Sequence, residues 1–112
     1  MSGYFQAFDL GELEKKQAEE GRPYVEFLRR RGMSVGLYTL PAGGEDRQHP
    51  HASDEMYLVL RGQATLRVGD HDQPVREGAV ISVDHGENHQ FVDITEDLHL
   101  LVVFAPPDDP QD

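Results

Sequence analysis

Short β-prone runs, punctuated by turn residues at close intervals, constrain this chain more than any other feature. Tyr24 to Leu28, Met33 to Leu40, Glu55 to Leu60, Ala64 to Val68, Ala79 to Val83, His89 to Ile94 and Leu98 to Phe104 are apolar or alternating. Gly, Pro, Asp, Asn and Glu separate them. Alternation is cleanest where Ala64, Leu66 and Val68 share one face and Thr65 and Arg67 the other. Gly69-Asp70 then turns the chain. This pattern predicts an all-β fold of about seven to ten short strands, an antiparallel sandwich or barrel. The last run is apolar on both faces, which predicts a central strand.

A different pattern precedes the strands. Asp9-Leu-Gly-Glu12 reads as a capping box, and Gly21 before Arg22-Pro23 reads as a stop. The spacing predicts one short N-terminal helix over about residues 10–20. It is too polar to hold alone in water and must lean on the body. After Pro106 the sequence turns acidic and proline-rich, which predicts a solvated, extended tail. The chain therefore divides into a helical segment at 1–22, a β body at 23–106 and an acidic tail at 107–112. With 112 residues it is one domain.

Charge and composition exclude several classes. Asp and Glu number 21 against 10 Lys and Arg, a net charge of −11 that repels phosphate backbones and anionic lipid surfaces. Nucleic acid and membrane are therefore not expected partners. Excess carboxylate with only Lys15 and Lys16 as lysines fits salt adaptation, and an ordinary acidic protein equally well. The absence of cysteine excludes disulfides, thiolate zinc sites, iron–sulfur clusters and a cysteine nucleophile. Met1 to Leu10 lacks a basic stretch followed by an apolar one, so the cytoplasm is the expected location.

The histidines carry the chemistry. His49, His51 and Glu55 lie within seven residues and share parity, so an extended chain aims all three to one side. Imidazole nitrogen and carboxylate oxygen are good ligands for divalent first-row metals. His89, at the start of a later strand, is the candidate fourth ligand. Taken alone, a His-x-His pair is also compatible with surface histidines in a polar loop.

The surrounding glycines add to this. Gly43, five residues, His49-Pro50-His51, three residues, Glu55, six residues and Gly62 have the spacing of the first cupin motif. The second motif is present as Gly78, Gly86 and His89, with Asp84 in place of its proline and Asp93 in place of its asparagine. The chain resembles a small single-domain cupin. That resemblance implies a double-stranded antiparallel β-helix, or jelly-roll barrel. It also implies one metal ion (Mn, Fe, Co, Ni or Zn) held by His49, His51, Glu55 and His89 inside the barrel.

Parity places Tyr57 and Val59 with Glu55, and Phe91 and Asp93 with His89. Phe91 and Val59 read as core. Tyr57, His85 and Asp93 are the acid–base candidates. Tyr57 also reads as core with a satisfied hydroxyl, and His85 as an exposed turn residue. His99 reads as a buried, hydrogen-bonded histidine and His71 as a solvated one. Asp54 and Glu55 are neighbours in a strand and face oppositely, so they do not form a catalytic pair.

The resemblance implies a metal-dependent enzyme of dioxygenase, isomerase or lyase type on a small organic acid, sugar or diketone-like substrate. It is equally compatible with a non-catalytic module that binds metal or a small ligand. Small cupins commonly dimerise, so a homodimer that covers Tyr24 to Leu28 is expected.

Overall fold

The computed structural model describes residues 5–47 and 51–108. Helix α1 spans Leu10–Glu20. Asp9 Oδ2 accepts the Glu12 amide at 3.0 Å, and Gly21 ends the helix at φ 68° with its amide on the Gln17 carbonyl. Gln17 is the buried residue of the helix, and its side chain donates to the carbonyls of Pro23 and Leu37 at 2.9 and 3.2 Å. Arg61 reaches Glu14 at 2.6 Å. A helix this polar is held to the sheet by hydrogen bonds and an ion pair, because it has no apolar stripe to bury.

Among the described residues six strands follow: β1 Tyr24–Arg29, β2 Ser34–Leu40, β3 Asp54–Val68, β4 His71–Arg76, β5 Val80–Val83 and β6 His89–Ala105. The order is β1-β2-β6-β3-β4, with β5 also paired to β3, and every pairing is antiparallel. The doubly apolar β6 is central, as its sequence predicts.

The strand count corrects the sequence reading. Glu55 to Leu60 and Ala64 to Val68 are one strand of 15 residues, and His89 to Ile94 and Leu98 to Phe104 are one of 17 residues. The turn signals inside them mark bends in a continuous ribbon. Gly62 has φ 106°, and a Cβ there would lie 2.2 Å from the Asp97 carbonyl oxygen and 2.8 Å from Leu98 Cα. Only glycine lets β3 cross β6 this closely. Opposite it the register slips, so that Thr65 faces Val92 while Gln63 faces Glu96. The extra residues of β6 form a bulge, with Asp93 at φ 49° inside it, and the ribbon bends there. Strand β4 has no counterpart in the sequence reading, because its residues are polar and include Pro74. It lies at the sheet edge, where proline and exposed polar side chains are tolerated.

This bend positions the site. Glu55 pairs with Phe104 near one end of the β3–β6 ribbon, and Val68 pairs with His89 at the other. Thirteen residues of straight strand would separate Glu55 from Val68 by about 43 Å. Instead His89 Nε2 lies 3.2 Å from Glu55 Oε2. The ribbon folds back on itself, so its two open ends meet at one mouth. Leu40, Val59, Leu66, Phe91, Leu98 and Leu100 are buried in the interior it encloses.

Candidate functional site

Three buried polar side chains meet inside the mouth. Glu55 projects inward from β3 between its partners Phe104 and Val83, and Tyr57 follows two residues on. His89 is the first residue of β6. The Tyr57 hydroxyl donates to Glu55 Oε1 at 2.7 Å and lies 3.0 Å from His89 Nε2. His89 Nδ1 donates to the Glu87 carbonyl at 2.8 Å, which directs Nε2 into the barrel. Burial opposes charge on His89, but hydrogen bonds to Glu55 and Glu87, with the Glu55 charge, outweigh it and raise its pKa above 6.5. The cluster thus favours a proton on His89 beside Glu55.

His51 completes the described part of the site. Its Nδ1 lies 2.9 Å from Asp108 Oδ1, its ring 4.9 Å from that of Phe104 and 6.4 Å from that of His89. An ionised carboxylate only accepts, so Nδ1 donates to it, and Nε2 is the ring nitrogen not engaged by Asp108. The Gly86 amide donates to the His51 carbonyl at 2.8 Å, which ties the turn before β6 to the loop before β3. His49 lies outside the described residues. Among the described residues no three His, Cys, Asp or Glu side chains group closely enough to hold an ion. The donors present nevertheless suit a divalent first-row cation. His51 and His89 both have Nδ1 engaged by a protein oxygen, so Nε2 is the nitrogen each could offer to an ion, and Glu55 has a buried carboxylate.

The other acid–base candidates lie apart. His85 is 72% exposed in its side chain and bonds Asp54, itself 65% exposed, at 3.1 Å on the outer rim. Hydrogen bonds from the His85 backbone and ring hold the Asp54 carboxyl below its usual pKa. Asp54 and Glu55 face oppositely, as parity requires. Parity fails for Asp93. The β6 bulge turns it to solvent, where it lines a shallow depression with Gln63, Thr65 and Arg76. His99 is half-buried on the outer face under α1, between Thr39 and Arg61, and burial followed by the Arg61 charge lowers its pKa. Phe91 and Val59 are core residues, as expected.

Two carboxylates escaped the sequence reading. Asp46 is almost wholly buried and accepts the Tyr38 hydroxyl at 2.6 Å and the Phe91 amide at 2.8 Å, anchoring the loop that leads toward the histidines. Asp108 sits in the segment expected to be a solvated tail, yet it bonds His51. Only its place after a central strand that ends at the mouth could have signalled this.

The family described as "Cupin domain" matches residues 36–104, more than half of the chain. The chain belongs to the cupin family. This cupin is 50% identical over 102 residues to an uncharacterised protein of Streptomyces coelicolor, covering 91% of this chain and 97% of that one. The solved structure of TT1209 from Thermus thermophilus is similar to it with a TM-score of 0.73 and 26% identity, over 92% of this cupin and 99% of that chain. KdgF from Halomonas sp. shares the fold, with a TM-score of 0.70 and 16% identity over 80% and 82% of the two chains. No helix among the described residues is long and apolar enough to cross a membrane.

Proposed function

We propose that the mouth holds one divalent first-row metal ion through His49, His51, Glu55 and His89, and that a small organic acid, sugar or diketone-like ligand binds beside it. The supporting observation is the buried cluster of Glu55, Tyr57 and His89, with His51 and His89 each anchored through Nδ1. A metal bound there would supply a Lewis acid, with open positions for two oxygens of a ligand. Tyr57 then holds a proton at Oη within the site, donated to Glu55.

A second reading is a module that binds metal and ligand without catalysis. The outward positions of His85 and Asp93 support it, since Tyr57 is the one acid–base candidate of the three that lies beside Glu55 and His89. We also place the expected homodimer at β1, which is the edge strand next to β2.

The test is elemental analysis of protein purified without chelator, with competition titrations of Mn(II), Co(II), Ni(II) and Zn(II). One equivalent should bind the parent, and Glu55→Ala and His89→Ala should lose it. The absence of stoichiometric binding by any of these ions would overturn the reading.

A further inference from the structure

Residues 106–108 cross the mouth after β6, and three elements grip them. The buried Ser53 hydroxyl donates to the Pro106 carbonyl at 2.6 Å. The fully buried Ser34 hydroxyl accepts the Asp108 amide at 2.9 Å. Arg29 donates to the Asp108 carbonyl at 2.6 Å. These partners come from the loop before β3, from β2 and from β1. Two buried hydroxyls are committed to the backbone of this short segment, so its path is built into the barrel. What that path places at the site is one carboxylate, Asp108 Oδ1, at 2.9 Å from His51 Nδ1.

We propose that residues 106–108 form a strap whose Asp108 is a positioning residue for metal binding, fixing the tautomer and ring orientation of His51. His51 precedes β3 and lacks the ladder hydrogen bonds that orient a strand residue. Its ring is instead held between the Asp108 carboxylate and the Phe104 ring, 4.9 Å away. With Nδ1 protonated and bonded to Asp108, Nε2 is the ligating atom, and the carboxylate raises its basicity. His89 receives the same service from the Glu87 carbonyl within its own turn. His51 obtains it from a residue fifty-seven positions away, so metal affinity is linked to the docking of the strap.

This inference rests on the metal reading above, and Co(II) titration separates the two. Loss of a partner that orients a ligating histidine typically lowers metal affinity about 10–100-fold. Asp108→Ala should therefore weaken Co(II) binding about 10–100-fold and alter the Co(II) visible spectrum. Asp108→Asn, whose amide oxygen still accepts from Nδ1, should recover most of the affinity. Ser34→Ala should give an intermediate loss, because it loosens the strap without touching His51. If the parent binds Co(II) and Asp108→Ala binds it with unchanged affinity and spectrum, the strap role is overturned and the metal reading stands. If the parent itself binds no Co(II), both are overturned.

Discussion

The two ends of the barrel interior are lined by the same long strands and bury opposite kinds of side chain. At the bend Leu40, Ala64, Ile94 and Leu98 close an apolar end. At the mouth Ser34, Glu55 and His89 are just as buried, beside Tyr57. Burying polar groups is unfavourable unless each finds a partner, and here they find one another or the strap. The difference separates the end that stabilises the fold from the end where we propose that the ligand binds. The bend end supplies hydrophobic stabilisation, and the mouth keeps polar groups whose burial adds little to it.

The largest expected effect breaks the bend itself. Gly62→Val puts a side chain into the Asp97 carbonyl at a φ of 106° and should destabilise the fold by more than about 3 kcal/mol, or prevent folding. Urea unfolding, or soluble yield where no folded protein forms, checks this. Next, Leu98→Ala opens a cavity at the apolar end and should cost roughly 3 kcal/mol in the same assay. It should leave metal affinity within about twofold of the parent. A large affinity loss in Leu98→Ala would show that the two ends are coupled.

Two histidines on β6 sharpen the contrast at a smaller scale. In chelator-treated protein His89 should titrate above the usual value of about 6.5, and His99, under the helix, below it. The linkage signs are opposite. The His89 contribution to stability is full below the unfolded pKa and is lost as pH rises through the folded one. The His99 contribution is present above the unfolded pKa and is lost as pH falls through the folded one. NMR titration of the imidazole protons checks both, and Glu55→Gln should remove most of the His89 shift. Shifts of the same sign at the two positions would contradict the assignment of their surroundings.

The smallest effect belongs to Tyr24, on the interior face of β1. Its ring lies over Gly36, where a Cβ would come within 2.5 Å, and its hydroxyl is the buried side-chain polar atom without a hydrogen-bond partner among the described residues. Burial pushes its phenol pKa far above the usual value. Tyr24→Phe removes an unpaired polar group and should raise stability by about 1 kcal/mol, seen as a small rise in melting temperature.

Much of this was legible in the chain, and the failures have physical causes. Parity within a strand placed Glu55 and Tyr57 inward and Asp54 outward, because side chains alternate wherever the pleat is regular. The same rule misplaced Asp93, because the bulge between Val92 and Glu96 adds residues that local pattern does not register. Gly62 looked like a strand end, since a glycine that permits a close crossing and one that ends a strand read alike. Strand β4 was hidden because edge strands need no apolar face. Asp108 was hidden because its partners are distant in sequence, and nothing in a proline-rich acidic segment signals that a buried serine waits for its amide.

The central claim is that the mouth is a metal site, and diffraction at a metal absorption edge tests it most directly. Crystals grown with Co(II) should show one strong anomalous peak inside the mouth, with His49, His51, Glu55 and His89 each contributing an atom at about 2.0–2.3 Å. His51 should keep its bond to Asp108, and Tyr57 should remain beside Glu55. The absence of a peak at saturating Co(II), or a peak only on the outer face, would contradict the account.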